Sequence, residues 1–336
     1  MKKNVIIASM VALTLVGCAK NEVVRNGSGS QEDVRIFFNA VAGLTSKVII
    51  EDANYPTDGS VTFGSVVYYV GEGKEIADGT VWVPQQEIVY DDTYDTFSTK
   101  AAYYYPKDNG SLTFFSFSPW IMNDAIVVDK TVKNGVTIPD VWDVDARQDC
   151  DFMVAESCSG VTSNPSTKGV NTVFSHKLAQ IRAIKIWTAD AYDGNTYTLN
   201  SLTLKNLKYA GTYSEDVWTP ADGAVKDVVL TLDATEFDSE NPAGVLDTHY
   251  LMMPQVNESG AQALEISYTA TNASGLPVTN VATLDFYDIL SKSLSGRNFL
   301  ANYRYIINLY VEEETIFWDA SVVGWDEESV STNIVY

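Results

Sequence analysis

Short stretches in which apolar and polar residues alternate recur along most of this 336-residue chain. Three of them place these side chains on shared faces: Ile266, Tyr268 and Ala270; Tyr303, Tyr305, Ile307, Leu309 and Val311; and Val228, Leu230 and Leu232. A period of two is that of a β-strand with one buried face. Strands of this kind, separated by turn residues, predict antiparallel sheets packed face to face as a β-sandwich.

Strand-like runs also fill the first half of the chain, at residues 34–42, 61–70 and 112–117. The Asn109-Gly110 pair before the third run is typical of a β-hairpin. Only residues 285–295 are helix-like, and this stretch is short. Because no long helices alternate with the strands, the pattern excludes a doubly wound α/β fold and predicts an all-β protein.

One stretch is rich in Ser, Gly, Thr, Asn and Pro, at residues 157–168, and is the best candidate for a linker. It divides the chain after its N-terminal segment into two similar lengths. We therefore predict an N-terminal β-sandwich domain at residues 33–168 and a C-terminal β-sandwich domain at residues 169–336.

The first 18 residues have the organisation of a secretory signal. Two lysines, Lys2 and Lys3, precede an apolar run at residues 5–15, and Gly17 and Cys18 follow it. The run is shorter than the roughly 20 residues that a membrane-spanning helix needs. We predict a signal peptide at residues 1–17 and a flexible Gly/Ser-rich tether at residues 18–32.

The sequence Leu15-Val16-Gly17-Cys18 resembles the lipobox of bacterial lipoproteins. That resemblance implies cleavage between Gly17 and Cys18, lipidation of the Cys18 thiol with chains such as palmitate, and anchoring to the outer membrane. Two or three acyl chains hold a protein stably on a membrane, whereas one does not. The alternative is an ordinary secretory signal that ends near a cysteine.

The net charge of the chain limits the kinds of molecule that it can bind. The formal net charge is −22, and removing Lys2 and Lys3 from the 22 basic residues leaves 20 against 44 acidic ones, a charge of −24. Such a surface repels nucleic acid and anionic lipid headgroups. We therefore predict no nucleic-acid partner.

Cys150 and Cys158 are the only cysteines besides Cys18. The intervening residues 151–157 are strand-like, and an extended strand would separate the two Cα atoms by about 26 Å at ~3.3 Å per residue. A disulfide requires them to lie within about 7 Å. Unless the strand prediction is wrong, the pattern favours free thiols over a Cys150–Cys158 disulfide.

Catalytic or metal-binding motifs are absent from the sequence. The two histidines, His176 and His249, lie far apart in the sequence and have no neighbour that would orient a catalytic base, so both are predicted to be structural. Carboxylates are numerous at residues 90–95 and 140–145, where solvated loops are a simpler interpretation than a glycosidase pair. The spacing of Asp140, Asp143, Asp145, Asp149 and Asp151 does not match a calcium loop. We predict no enzyme, no cofactor and no metal site.

An ordered set of segments carries a family resemblance. These segments are Tyr103-Tyr104-Tyr105-Pro106, residues 110–119, residues 151–155, residues 173–181, residues 250–255 and residues 322–325. In this order, behind a lipobox, they resemble the fimbrillin family, the lipoprotein pilins of type V pili. The resemblance implies two transthyretin-like β-sandwich domains, in agreement with the strand pattern.

The fimbrillin resemblance also implies a mode of assembly. A trypsin-like protease removes the lipid and the first strand, which leaves unpaired backbone groups. A strand from the C-terminal end of a neighbouring subunit then fills the groove by β-strand addition. In this sequence the removable strand would lie at residues 34–42, the cut would follow Lys47, with Arg25 and Arg35 as alternatives, and the donor strand would lie at residues 316–336.

Together these features predict a structural pilin that polymerises with copies of itself or with related subunits into an adhesive fimbrium on the cell surface. At the tip of such a filament it would bind a host or glycan ligand. The alternative is a surface lipoprotein that binds glycans without polymerising. The seven tryptophans of the chain support it, since they suffice to build an aromatic binding face. Core packing is the simpler role for each of them.

Overall fold

The computed structural model describes residues 34–42, 55–165, 169–189, 194–246, 249–293, 295–312 and 315–325. Nine strands precede residue 168: β1 (Phe38–Ala42), β2 (Phe63–Val70), β3 (Thr80–Asp91), β4 (Thr96–Thr99), β5 (Ser111–Ser118), β6 (Val127–Val128), β7 (Val136–Asp143), β8 (Met153–Ala155) and β9 (Cys158–Val161). Four 3-10 helices connect them: Ile76–Asp78, Trp120–Ala125, Lys133–Gly135 and Asp145–Arg147.

Thirteen strands and one short helix follow. They are β10 (Val170–His176), β11 (Ala179–Thr188), β12 (Thr196–Lys208), β13 (Ala210–Ser214), β14 (Val217–Pro220), β15 (Val225–Val229), β16 (Glu236–Phe237), β17 (Ala243–Val245), β18 (Tyr250–Met252), β19 (Ala263–Thr271), β20 (Pro277–Asp285), α1 (Phe286–Ile289), β21 (Tyr303–Glu312) and β22 (Thr315–Gly324). No helix of the described ranges is long and apolar enough to cross a membrane.

The first sheet has the spatial order β2-β3-β4-β1-β10-β8-β5-β9, and β2 also pairs with β5. That extra pairing turns seven of the strands into a closed circuit, from which only β9 stands aside. All contacts in the circuit are antiparallel except that between β1 and β10, which is parallel. Residues from both halves of the chain therefore build this unit, because β10 follows the predicted linker.

Aromatic rings fill the interior of the circuit. Phe63 contacts Phe97 and Phe174 at ring-centroid distances of 5.7 and 5.3 Å. The Tyr55 ring packs against the same three residues, and its hydroxyl shares a 2.8 Å hydrogen bond with the Ser118 hydroxyl. Large buried rings of this kind contribute area and edge-to-face contacts together.

The C-terminal unit is a sandwich of two sheets. One has the order β17-β11-β21-β22, with β18 beside β11, and the other has the order β15-β12-β19-β20, with β16 beside β12. Their common core includes Ile184 of β11, Leu202 of β12, Ile266 of β19 and Ile307 of β21. The alternating patterns at residues 265–271 and 303–311 are thus confirmed as strands with one buried face.

A fourth sheet joins the two units. Its order is β14-β13-β7-β6, so that β7 of the first half pairs with the β13–β14 hairpin of the second. We call it the junction sheet. Beneath it lies a separate core, the junction core, which consists of Phe117, Met122, Ile126, Val136, Ile138, Val144, Cys150, Phe152, Val154, Leu178, Tyr213, Trp218, Leu251, Met253 and Trp325.

The all-β class with antiparallel sheets is confirmed, and the helix-like stretch is confirmed as the four-residue α1, whose first turn is capped by Asp285. The prediction of a hairpin at Asn109-Gly110 is wrong. β5 pairs with β2, β8 and β9 rather than with β4, the strand before the turn. Asp108 accepts a hydrogen bond from the Gly110 amide and stabilises a local turn that does not set the pairing.

Cys150 is a buried free thiol, so no disulfide joins it to Cys158. The prediction of free thiols is confirmed for Cys150 alone. Burial, reinforced by the charge of Asp149, raises the pKa of the Cys150 thiol to about 11. A thiol that stays protonated is a poor nucleophile, which suits its place in the junction core.

Asp216, in the turn between β13 and β14, is the electrostatic centre of the junction. Its carboxylate lies 2.7 Å from the Lys133 ammonium and 3.2 Å from that of Lys177, and it accepts hydrogen bonds from Tyr213 and Asn134. Burial acts to raise the pKa of Asp216, but the two lysines and the Tyr213 hydroxyl outweigh it and lower the pKa from 3.8 to about 2. Asp216 therefore stabilises the contact between the two halves as an anion.

The depressed pKa predicts a pH-dependent contribution to stability. Above pH 3.8 the folded state gains about 2 kcal/mol from the Asp216 anion, and this gain disappears as the pH falls towards 2. In urea titrations, Asp216→Asn should lose about 2 kcal/mol at pH 7, and the difference from the wild type should shrink below pH 4. Asp222→Asn, at an exposed turn nearby, is the control and should change stability little. An equal loss at pH 7 and pH 3 would contradict this role.

Candidate functional site

β1 is the strand through which the first circuit closes. It pairs in parallel with β10 over five residues, from Phe38 opposite Val170 to Ala42 opposite Phe174. Its contact with β4 is a single residue pair, Phe38 with Phe97, to which the Thr96 hydroxyl adds a hydrogen bond to the Phe38 carbonyl. Removing residues 34–42 would therefore open the circuit and leave β4 and β10 with unpaired backbone groups.

The inward face of this segment is apolar throughout. Ile36, Phe38, Ala40 and Ala42 are at most 5% exposed. The Phe38 ring makes edge contacts with Phe63 and Phe114, at centroid distances of 5.8 and 5.7 Å. Burial of one such ring contributes about 2 kcal/mol, so loss of the segment would leave an apolar groove in the aromatic core. We call this place the β1 groove.

The backbone just before β10 lies very close to the first strand. Gly169 has φ +105°, and a Cβ built on it would lie 2.3 Å from the Phe37 carbonyl carbon. On the outward side, the Asn39 amide donates a 3.0 Å hydrogen bond to the Asn171 side chain. Val173, opposite Val41, is 44% exposed. Close backbone approach, a polar pair and an exposed rim thus define the β10 wall of the groove.

Of the predicted processing residues, Arg35 alone lies within the described ranges. Its guanidinium donates to the Ser98 hydroxyl at 2.9 Å, lies 3.6 Å from the Asp91 carboxylate and packs over the Phe37 and Tyr94 rings. These contacts explain Arg35 as part of the attachment of the first strand. Lys47 and Arg25 lie outside the described residues, as do Gly17 and Cys18.

The predicted donor segment, residues 316–336, is described as far as Trp325. Within it, β22 pairs with β21 over ten residues, and Trp325 is fully buried in the junction core. The Trp325 amide donates to the Asn302 carbonyl at 2.7 Å, and the Arg304 guanidinium donates to the Trp325 carbonyl at 2.6 Å. Residues 326–336 lie outside the described ranges.

His176, at the end of β10, holds Trp325 in place. The two rings stack at a centroid distance of 4.2 Å with an interplanar angle of 8°. The His176 Nδ1 atom lies 2.9 Å from the carboxylate of Asp151, and both side chains are at most 1% exposed. A pair sealed from solvent and packed on a tryptophan is structural, as predicted for His176. His249 is half-buried beside β18.

The two acidic clusters, at residues 90–95 and 140–145, differ in their structure. Residues 92–95 form the exposed turn between β3 and β4, as expected. The prediction of a solvated loop is wrong for residues 140–143, which are part of β7. The Asp145 carboxylate beyond them forms an ion pair with Lys226 and accepts a hydrogen bond from the Tyr250 hydroxyl. Among the described residues, no group of three or more His, Cys, Asp or Glu could hold a metal ion.

The tryptophans occupy three kinds of environment. Trp218 and Trp325 are buried in the junction core, whereas Trp120, Trp142 and Trp187 are half-buried. Trp82 is 37% exposed and Trp318 is 41% exposed, so core packing does not account for these two. The Trp82 indole N–H donates to the Tyr104 carbonyl, and its ring lies against Tyr69.

β10 is the element of the candidate site that the sequence pattern does not assign to the first unit. The composition of residues 157–168 predicts the boundary of the first unit there, but the next strand, β10, pairs with β1 and β8 of that unit. The signal was present, because Val170, Thr172, Phe174 and His176 alternate with more exposed residues. Alternation identifies a strand with one buried face but not the sheet to which it belongs.

Comparison with known proteins finds one family model and several solved structures that resemble this chain. A family model described as fimbrillin-like matches residues 54–325. The crystal structure of a fimbrial protein from Bacteroides vulgatus shares 16% sequence identity and superposes with a TM-score of 0.66, covering 87% of this chain and 99% of that one. For a candidate cell adhesion protein from Parabacteroides distasonis, the identity is 13% and the TM-score 0.53, with coverage of 87% and 97%.

No curated protein sequence matches the chain. The structural likenesses, at these low identities, establish a shared fold. The family model covers most of the chain, including the junction core up to Trp325 and every strand from β2 to β22. The chain therefore belongs to the fimbrillin-like family.

Proposed function

We propose that this protein is a pilin subunit that is exported as a lipoprotein, trimmed by a protease and polymerised by β-strand exchange. The observation that carries the proposal is that one short segment, residues 34–42, completes the circuit of strands in the N-terminal unit. Fimbrillin-like proteins are structural proteins of fimbriae and not a class of enzymes. The proposal concerns how this subunit reaches the surface and joins its neighbours.

Export and anchoring rest on the N-terminal sequence. Cleavage between Gly17 and Cys18 and lipidation of Cys18 would hold the precursor at the outer membrane. A cut after Lys47 would then separate the lipid and residues 34–42 from the rest of the subunit. Lys47 suits this role better than Arg35, because the Arg35 side chain is engaged by Asp91, Ser98 and two rings.

The donor segment is best placed at residues 326–336. Residues 315–325 complete their own sheet and the junction core, so detaching them would expose β21 and the fully buried Trp325 ring. We therefore assign donation to residues 326–336, which follow Trp325 in the sequence. Insertion of this segment into the β1 groove of a second copy joins two different surfaces, and a contact of this head-to-tail kind grows a filament when it does not close.

Trimming should control assembly. Mild trypsin treatment of the purified precursor should release residues up to 47 and yield multimers that resist detergent, whereas Lys47→Ala should remain monomeric. The readouts are unboiled gel electrophoresis and intact mass with N-terminal sequencing, for which Val48 is the expected first residue. Lys74→Ala, at an exposed site distant from β1, is the matched control and should assemble like the wild type. Equal assembly by Lys47→Ala would contradict the cut at Lys47.

Truncation should separate donation from folding. A chain that ends at Trp325 should unfold at the same temperature as the full chain but form no multimers after trimming, because it has a groove and no donor. Added to the full chain, it should shorten the filaments. Trp325→Ala in the full chain should instead cost about 3–5 kcal/mol of stability, since it leaves a cavity beside His176. Multimers formed by the truncated chain alone would contradict donation by residues 326–336.

A further inference from the structure

We propose that residues 330–336 of a second copy enter the β1 groove in the direction opposite to that of β1. Val330, Thr332, Ile334 and Tyr336 would then take the core positions of Ala42, Ala40, Phe38 and Ile36, in that order. This inference rests on the proposed function and adds the orientation and register of the donor. It is argued from the residues that line the groove and from the sequence of the segment that would fill it.

The alternation of the donor decides which of its faces points inward. The even-numbered side chains from 330 to 336 are Val, Thr, Ile and Tyr, whereas the odd-numbered ones are Ser331, Asn333 and Val335. The groove has four inward positions at the same spacing of two residues, all at most 5% exposed. Because a shift of one residue would turn the polar face into the core, the even-numbered set must face inward.

A buried charge and an amide pair decide the register. The reversed donor could be displaced so that each groove position takes the residue two places earlier in the donor sequence. Glu328 would then lie at the position of Ala42, which is fully buried. An unpaired carboxylate there is strongly disfavoured. In the proposed register, Asn333 occupies the position of Asn39. It can therefore restore the side-chain hydrogen bond that Asn39 makes to Asn171.

Side-chain size decides the direction. Along β1 the inward residues run from large to small, with Ile36 and Phe38 before Ala40 and Ala42. Along the donor they run from small to large. In the reversed direction the smaller Thr332 therefore lies at Ala40 and the larger Ile334 lies at Phe38. In the same direction as β1, Tyr336 would fall on Ala42, which has no exposed surface, and Thr332 would leave space at Phe38. Overpacking and cavities in a core each cost stability.

The backbone ladder favours the same direction. β1 runs parallel to β10 over five residue pairs and meets β4 at only one. A reversed donor would run antiparallel to β10, and antiparallel pairing is slightly more stable per residue than parallel pairing. The longer ladder, with β10, thus becomes more stable when the donor replaces β1. The change to parallel pairing affects only the short contact with β4.

A disulfide between subunits can report the direction. Val173 is exposed and lies opposite Val41 on the outward face of β10. In the reversed orientation Ser331 takes the position of Val41, whereas in the orientation of β1 that position belongs to Val335. The acceptor is the chain ending at Trp325 with Val173→Cys, which cannot donate. It is mixed after trimming with full chains that carry Ser331→Cys or Val335→Cys.

Oxidation should give at least tenfold more cross-linked dimer with Ser331→Cys than with Val335→Cys, measured on non-reducing gels and located by mass spectrometry of the joined peptides. The acceptor without Val173→Cys is the background control. A dominant Val335→Cys product would overturn the direction, and multimers without either product would overturn the register while leaving strand exchange intact. Failure of the unsubstituted, trimmed protein to form multimers would instead overturn the proposed function and this inference with it.

Discussion

The parallel ladder between β1 and β10 is the contact on which the N-terminal unit depends. Its two strands are separated by more than 120 residues. Apart from this ladder, the β1-β4-β3-β2 side of the described sheet meets the β10-β8-β5 side only at the β2–β5 pairing. A ring of strands has no free edges, whereas a ring with one strand missing has two. The unit is therefore complete with residues 34–42 in place, and under the proposed function it would become a receptor for a strand once they are removed.

β10 connects the two ends of the proposed assembly. Its first five residues line the β1 groove, and its last residue, His176, stacks on Trp325, where the proposed donor begins. The Asp151 carboxylate contacts the Nδ1 atom of His176 and fixes the orientation of the ring. Because one short strand contacts both places, the groove and the origin of the donor keep a fixed geometry within each subunit. Such a fixed relation between two different surfaces is what a regular head-to-tail filament requires.

Local pattern predicted the strands of this protein better than their partners. Ile266 and Tyr268, or Ile307 and Leu309, reveal their buried faces through a period of two, and the structure confirms them. Pairing depends on contacts between distant segments, so neither the return of β10 to the first sheet nor the junction sheet was visible. Asn109-Gly110 shows the same limit, because turn chemistry fixes a local bend but not which strands meet. The first strand itself was predictable, since residues 34–42 form an isolated apolar run.

The protease in the proposed assembly has a physical reason in the competition between two strands for one groove. While residues 34–42 are covalently attached, their return to the groove is intramolecular, and the effective concentration of a tethered segment exceeds that of any segment on a second molecule. A donor of similar fit therefore cannot compete with the attached strand. Once the chain is cut, the original strand is lost by dilution when it leaves. The proposed donor would remain tethered to a subunit whose Trp325 side chain is fully buried, so each exchange would add a whole subunit to the filament. In the proposed assembly, cleavage would thus act by removing an entropic advantage, and the same aromatic groove would serve first for folding and then for assembly.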